Sequence, residues 1–69
     1  METLNFKTNL LTSDDVAAVT LSLNDIEPVD GWNVNASGLL TVQTTDNRIG
    51  EQVIDAVKKE GYWAEAIPI

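Results

Sequence analysis

The chain has 69 residues and contains neither cysteine nor histidine, which excludes disulfide bonds and zinc sites built from these side chains. Hydrophobic residues make up 43% of it, enough for the core of one small globular domain, which we expect to span residues 1–69. Its 11 acidic and 4 basic residues give a net charge of −7, which disfavours nucleic acids and anionic membranes as partners.

The distribution of apolar residues argues against membrane insertion. No apolar stretch approaches the roughly 20 residues that a bilayer-spanning helix needs. Polar side chains at Glu2, Asn5 and Lys7 interrupt the N-terminal apolar residues, so the apolar core of a signal peptide is missing. We therefore expect a cytoplasmic protein that does not insert into membranes.

The first two predicted elements are a strand and a helix. Residues 3–11 alternate between apolar and polar side chains, which predicts a strand with one solvated face. Apolar residues then recur at helical spacing at Val16, Val19, Leu23 and Ile26. Thr12 and Asp15 have the spacing of a capping box, so we predict a helix from about residue 13 to residue 26, ended by Pro28.

Two strands joined by a hairpin follow the first helix. Residues 29–36 and residues 39–44 each place apolar side chains at a period of two, which is typical of strands. Gly38 lies between the two runs and supplies the glycine that a tight hairpin turn needs. We expect Trp32, in the first of these strands, to belong to the core.

A second helix and a last strand complete the pattern. Apolar residues repeat at helical spacing at Ile49, Val53, Ala56 and Val57. Asp46 and Asn47 are the candidate N-caps of this helix, and Gly61 stands where a left-handed C-cap is expected. Residues 62–67 have the pattern of a final strand.

The element order β-α-β-β-α-β predicts an α+β domain of the ferredoxin-like class. Four strands with one apolar face each and two helices with one apolar stripe each fit a four-stranded antiparallel sheet with both helices on one face. The other face of the sheet is then open to water. The alternation assigns to this open face Thr3, Asn5, Lys7, Thr41, Gln43, Trp63 and Glu65.

Several segments follow the sequence pattern of one known family. They are Phe6-Lys7-Thr8-Asn9-Leu10, Val16-Ala17-Ala18-Val19, Val29-Asp30-Gly31-Trp32-Asn33-Val34-Asn35, Leu40-Thr41-Val42 and residues 53–62. The last segment ends in Ala-Val-Lys-Lys-Glu-Gly-Tyr, which is the most particular of these matches. Through them the chain resembles the heavy-metal-associated domains, which include small copper chaperones and modules of metal-pumping ATPases. The resemblance covers essentially the whole chain.

The resemblance fails at the motif that carries the family's chemistry. Members of the family hold copper(I) or zinc with a Cys-x-x-Cys pair at the start of the first helix, because soft ions prefer thiolate ligands. The positions that match these two cysteines are Thr12 and Asp15. A hydroxyl and a hard carboxylate do not suit copper(I), so we expect soft-metal binding to be lost and no cofactor to be bound.

Two other kinds of binding function stay open at this point. Asp14 and Asp15 are candidate ligands of a hard cation, although the spacing of a calcium loop is missing and the positive end of a helix opposes a cation. A plain helix cap is the simpler interpretation of the same segment. An ACT-like regulatory module, which binds a small ligand between protomers, would share the βαββαβ order.

The residue inventory argues against an enzyme. Without histidine or cysteine, nucleophile–imidazole arrangements are impossible, and adjacent carboxylates at a solvated helix cap are not arranged for acid–base catalysis. We instead predict a noncatalytic interaction module that acts in metal handling. The resemblance implies a metal-transporting ATPase-type protein as its partner, and a second copy of the chain is the alternative.

The candidate partner contacts are Asp14, Tyr62 and Trp63. Tyr62 matches a tyrosine that some bacterial members of the family place near their metal loop, but a half-buried aromatic at the start of a strand is the favoured explanation. Trp63 should point away from Tyr62 onto the open face, and exposed tryptophan is a frequent interface anchor. Single exposed apolar residues are nevertheless common, so both interpretations of Trp63 stay open.

Overall fold

Six elements occur in the predicted order in the computed structural model, which describes residues 2–46 and 48–67. The strands are β1 (Glu2–Thr8), β2 (Val29–Val34), β3 (Leu39–Thr44) and β4 (Ala64–Ala66). The helices are α1 (Ser13–Asn24) and α2 (Gly50–Lys59). No helix within these described ranges is long and apolar enough to cross a bilayer.

The four strands form one antiparallel sheet in the order β2-β3-β1-β4. The helices α1 and α2 pack against each other and against one face of the sheet, which confirms the ferredoxin-like prediction. The residues buried between the two layers are Phe6, Leu10, Val19, Leu23, Ile26, Leu40, Val42, Ile49, Val53, Val57 and Ala64. These positions repeat every two residues in the strands and every three or four in the helices, as the sequence pattern requires.

Cross-strand pairs identify the residues on the open face of the sheet, because directly opposite residues share a face. The pairs are Thr3 with Gln43, Asn5 with Thr41 and Lys7 with Glu65. The Thr41 hydroxyl also donates a hydrogen bond to Asn5 Oδ1 at 3.1 Å. Six of the residues predicted for this face therefore share it, and the seventh, Trp63, lies just before β4.

The first strand and the first helix end earlier than predicted because hydrogen bonds redirect the chain. The Thr8 hydroxyl donates to the carbonyl of Gly38 at 2.6 Å and accepts from the N–H of Leu10 at 3.1 Å, which ends β1. At the end of α1, the N–H of Ile26 donates to the Leu23 carbonyl at 3.2 Å in a turn tighter than an α-helix. Leu10 and Ile26 are buried all the same.

The predicted hairpin is confirmed, although β2 ends at Val34 instead of residue 36. The N–H of Asn35 donates to the Leu39 carbonyl, and the N–H of Gly38 donates to the Asn35 carbonyl, both at 3.0 Å. Gly38 has a φ of +85°, a left-handed conformation that side chains with a Cβ adopt at a cost. The Asn35 side chain accepts from two further backbone N–H groups and holds the turn.

The predicted N-cap of α2 is wrong. Ile49 occupies the N-cap position, and its apolar side chain makes no capping hydrogen bond. Asp46 lies three residues earlier, where its Oδ1 accepts from the backbone N–H of Arg48 at 2.9 Å and closes a turn ahead of the helix. Asn47, the other candidate cap, lies outside the described residues.

The predicted C-cap of α2 is confirmed. Gly61 has a φ of +94°, in the left-handed region. Its N–H donates to the Lys58 carbonyl at 2.9 Å, and the N–H of Tyr62 donates to the Val57 carbonyl at 3.3 Å. This pair of bonds defines a Schellman motif, which sets the direction in which the chain leaves α2.

Candidate functional site

The segment that corresponds to the metal loop of the family is residues 9–15, here called the cap loop. Thr12 is the N-cap of α1, and its Oγ1 accepts from the N–H of Asp15 at 3.2 Å. Asp15 Oδ2 accepts in return from the N–H groups of Thr12, at 3.2 Å, and Leu11, at 3.3 Å. The predicted capping box is therefore confirmed, and these bonds satisfy N–H groups that the first turn of a helix leaves free.

The cap loop is joined to the connection between α2 and β4 by two hydrogen bonds. The Tyr62 hydroxyl donates to Asp15 Oδ1 at 3.0 Å, and the backbone N–H of Trp63 donates to Asn9 Oδ1 at 2.9 Å. The second bond explains why β4 begins only at Ala64, since the N–H of Trp63 is directed to the cap loop. Segments that are far apart in sequence are thus held together at one end of the sheet.

The hydrogen bond between Tyr62 and Asp15 perturbs both side chains. The Tyr62 hydroxyl lowers the pKa of Asp15 below its usual value, burial partly opposes this shift, and the bonds from Thr12 and the backbone N–H groups add to it. The same hydrogen bond raises the pKa of Tyr62, and burial and the neighbouring carboxylates add to that shift. Asp15 is therefore a carboxylate and Tyr62 a neutral phenol at neutral pH, the states in which their hydrogen bond is strongest.

The donor set of the cap loop does not fit the soft ion that the fold family handles. The side chains at the two family positions offer only oxygen, whereas copper(I) prefers sulfur. Their oxygens also accept hydrogen bonds within the chain, so a cation would have to displace these bonds. Within residues 2–46 and 48–67, no group of three or more acidic side chains is arranged to hold a metal ion.

A shallow groove of about 310 Å³ lies between the cap loop and the β2–β3 hairpin. Its lining is mainly apolar and consists of Leu10, Leu11, Thr12, Ser13, Val16, Val34, Asn35 and Ala36. None of these eight described side chains is charged, so none of them would fix the orientation of an ionic substrate.

The three candidate partner contacts differ in their surroundings. Asp14 is exposed in the first turn of α1, and Trp63 is 43% exposed. Tyr62 is half-buried and its hydroxyl is used inside the chain, which agrees with the favoured explanation of this residue. Leu11, 60% exposed in the cap loop, is an apolar neighbour that was not among the predicted contacts.

Trp32 lies at the edge of the core and not in its centre. The side chain is half-buried, packs against the buried cluster, and donates from Nε1 to Asn24 Oδ1 at 2.9 Å. This bond joins β2 to the end of α1 and satisfies the polar atom of the indole ring. Trp32 was predicted to belong to the core; it packs against the core from the edge, and its hydrogen bond to Asn24 was not predicted.

The hydrogen bonds from Tyr62 to Asp15 and from Trp63 to Asn9 were not predicted from the sequence. No local signal identifies them, because the partners are 47 and 54 positions apart. The resemblance provided a partial signal, since it placed Tyr62 near the first loop. Asn9 carries no comparable signal in the sequence.

Comparisons with known proteins show the fold clearly. No protein-family model and no curated protein sequence matches the chain. Among solved structures, the N-terminal domain of PacS from Synechocystis PCC6803 superposes with a TM-score of 0.83 at 18% identity, over 99% of this chain and 100% of that domain. The CopZ metallochaperone superposes with a TM-score of 0.78 at 25% identity, over 96% and 100% of the two chains.

A third similar structure is a copper-binding domain from HMA7, a P-type ATPase, with a TM-score of 0.81 at 17% identity over 99% and 96% of the two chains. CopZ is a metallochaperone and the HMA7 domain binds copper, so these neighbours favour neither the ACT-like module nor the hard-cation site. The chain therefore has the fold of the copper-chaperone-like, heavy-metal-associated domains, which it resembles along its length, and it lacks their Cys-x-x-Cys motif.

Proposed function

We propose that this chain is a noncatalytic protein-interaction domain that acts in metal handling without binding soft metal ions itself. The observation that carries the proposal is the hydrogen bonding of Thr12 and Asp15. Each side-chain oxygen at the two family positions has a partner within the chain. The cap loop is thus closed by its own residues, where a family member with cysteines would use the metal ion.

The chemistry of the cap loop also argues against binding of a hard cation such as magnesium or calcium. Asp14 and Asp15 lie at the N-terminus of α1, where the helix dipole favours negative charge and disfavours an approaching cation. Magnesium and calcium require several oxygen ligands in a set geometry, and the oxygens of Asp15 are engaged in the capping box and with Tyr62. A helix cap accounts for these residues without any ion.

The proposal also covers the extent of the domain, its location and its lack of catalytic chemistry. We take residues 1–69 as one domain, without a cofactor, that acts in the cytoplasm and performs no catalysis. The absence of histidine and cysteine from the sequence supports the last point, since neither thiolate nor imidazole chemistry is available.

An interaction role is what the surface near the cap loop supports. Leu11 and Trp63 expose apolar surface there, and Asp14 adds an exposed carboxylate. Exposed tryptophan is a common anchor of protein interfaces. The similarity to a domain of a P-type ATPase makes an ATPase-type domain the first partner to test, with a second copy of the chain as the alternative.

Titration with copper(I) and zinc tests the loss of metal binding. We expect no submicromolar binding of either ion to the native chain. The matched control is the double variant Thr12→Cys/Asp15→Cys, which restores the Cys-x-x-Cys spacing and should gain copper(I) binding. Submicromolar binding of copper(I) or zinc by the native chain would show that the proposal is wrong.

A second titration tests the interaction role. When the ¹⁵N-labelled chain is mixed with the copper-binding domain of HMA7, we expect changes in the indole signal of Trp63 and in the amides of the cap loop. The variant Trp63→Ser should lose these changes, while Trp32, whose indole bonds to Asn24, serves as an internal reference. If neither this domain nor an increase in protein concentration alters the spectrum, the proposed partners are wrong.

A further inference from the structure

The outward side of α1 is apolar, whereas surface helices usually expose polar residues. Leu21 is 77% exposed, and Ala17 and Ala18 are also exposed. Between Asp15 and Asp25 the helix has no charged residue at all. This apolar centre cannot be explained by packing within the chain, because these side chains face solvent.

Two carboxylates lie at the ends of this apolar centre. Asp14 and Asp25 are both exposed and are separated by three helical turns, about 16 Å along the axis. We call Asp14, Ala17, Ala18, Leu21 and Asp25 the outer face of α1. A helical period of 3.6 residues brings its members to one side of the helix.

No basic residue neutralises this region within its own part of the chain. Lysine, arginine and histidine are all absent between Lys7 and Arg48. The exposed positions of α2 differ, because they carry both signs of charge at Glu51, Asp55, Lys58 and Lys59. The outer face of α1 is therefore distinguished by an apolar centre with a carboxylate at each end; the basic residue beside it is Lys59 of α2, which lines a groove with Asp25.

A second copy of the chain is a poor occupant of this face. If two α1 helices packed in parallel, Asp14 would lie opposite Asp14 and Asp25 opposite Asp25. If they packed antiparallel, Asp14 would lie opposite Asp25, so carboxylates face each other in both orientations. Like charges across an interface disfavour association, and the net charge of −7 adds to this effect.

We propose that the outer face of α1 docks a protein surface whose apolar centre is flanked on both sides by lysine or arginine. This partner class follows from the charge complementarity and from the exposed apolar area around Leu21. The proposal rests on the interaction role proposed above and adds a surface that lies along α1 and does not involve the cap-loop oxygens.

A pair of designed peptides tests this proposal on the full chain. The first is a helical peptide with a leucine and alanine stripe between two lysines about eleven residues apart, the separation of Asp14 and Asp25. The second carries glutamate in place of both lysines. We expect the lysine peptide to shift the ¹⁵N amide signals of Ala17, Ala18 and Leu21, with weaker binding at high salt. The glutamate peptide should leave these signals unchanged.

Variants separate local docking from general charge attraction. Leu21→Ser should weaken binding of the lysine peptide by about tenfold, a typical loss for a central apolar contact. Asp25→Lys should weaken the lysine peptide and allow the glutamate peptide to bind. Glu65→Lys, on the open face of the sheet away from both helices, makes the same change in net charge and is the matched control. All three residues are exposed, and an unchanged spectrum elsewhere verifies that each variant folds.

Three outcomes would overturn the proposal. They are equal binding of the two peptides, an equal effect of Asp25→Lys and Glu65→Lys, and signal changes confined to residues outside α1. If Trp63→Ser removes binding while Leu21→Ser does not, docking on α1 is wrong and the interaction role remains supported. The copper(I) titration has no bearing on these outcomes, so the two proposals fail independently.

Discussion

Asp15 is the residue on which the geometry of the cap loop depends most. One carboxylate oxygen accepts from two backbone N–H groups at the start of α1, and the other accepts from the Tyr62 hydroxyl. The side chain therefore links the cap loop to the connection between α2 and β4. It stands at the position of the second family cysteine, so a structural link occupies the place of a metal ligand.

The first prediction concerns the variant Tyr62→Phe, which removes the hydroxyl and leaves the aromatic ring. The Tyr62 bond is the largest cause of the lowered pKa of Asp15, so this pKa should rise toward the ordinary value of 3.8. Carboxyl NMR signals recorded against pH measure it. Trp63→Phe is the control, and the pKa of Asp15 should be the same in this variant as in the native chain. An unchanged pKa in Tyr62→Phe would contradict the proposed link.

The same two shifts predict how stability depends on pH. The pKa of Asp15 is lower in the folded chain, so its contribution is present above 3.8 and is lost as pH falls through the folded-state pKa. The pKa of Tyr62 is raised, so its contribution is present below 10.0 and is lost as pH rises through the folded-state pKa. Thermal unfolding of the native chain and of Tyr62→Phe should therefore differ least at the acidic and alkaline extremes.

At the scale of single elements, the glycines at the two ends of α2, Gly50 and Gly61, show how position decides the effect of one residue type. Gly50 is the first helical residue, and a Cβ there would meet the Phe6 ring at 4.0 Å, an ordinary contact distance. Gly61 follows the helix with a φ of +94°, and a Cβ there would meet nothing within 4 Å. Space is available at both positions, so backbone conformation alone distinguishes them.

The second prediction is that alanine at these two positions has opposite effects. Gly50→Ala should raise the free energy of unfolding by about 0.5–1 kcal/mol, because it restricts the unfolded chain and suits a helix. Gly61→Ala should lower it by about 1–2 kcal/mol, because alanine is strained in the left-handed region. Urea unfolding measures both changes in the free energy of unfolding. The slope of this free energy against urea concentration should be the same for the native chain and both variants. Effects of the same sign would show that the Schellman turn is described wrongly.

The start of α2 illustrates why caps are harder to predict than helices. Asp46 has the residue type and the approximate position of an N-cap, yet it makes its bonds one turn earlier, to the N–H and the guanidinium group of Arg48. Local sequence allows both arrangements, because aspartate can cap a helix or close a turn. The buried Thr44, whose hydroxyl accepts from the N–H of Asp46, favours the turn.

For the whole molecule, the excess of acidic residues is the main electrostatic feature. The net charge of −7 is spread over a domain of 7.5 kDa. The ion pair between Asp46 and Arg48, at 3.0 Å, is largely exposed and compensates little of it. Repulsion among carboxylates should therefore lower the stability of the compact state.

The third prediction is that added salt stabilises the folded chain. Ions screen the repulsion among exposed carboxylates, so the melting temperature should rise between low and moderate sodium chloride concentrations. The variant Asp30→Asn, which removes one exposed charge, should show a smaller rise than the native chain. A melting temperature that falls with salt would mean that attractive ion pairs outweigh the repulsion.

Most of the fold was predictable from the sequence because its signals are local. The spacing of Val19 and Leu23 in α1, the capping box of Thr12 and Asp15, and the positions of Gly38 and Gly61 each depend on a few neighbouring residues. The lack of thiolate ligands in the cap loop was also predictable from the sequence, since the chain contains no cysteine. The ends of the elements were less predictable, because they depend on hydrogen bonds to distant segments. The bond of Thr8 to Gly38 ends β1, and the bond of Trp63 to Asn9 makes β4 begin later than predicted.

The sequence by itself determined the order of elements, the apolar faces that form the core, and the absence of soft-metal ligands. Only the tertiary structure decided that Tyr62 reaches Asp15, that Asn9 holds the backbone of Trp63, and that the apolar centre of α1 stays uncovered. The physical reason is the range of the interactions. Periodicity and capping act within one or two turns, whereas these contacts and exposures exist only after helices and strands have packed together.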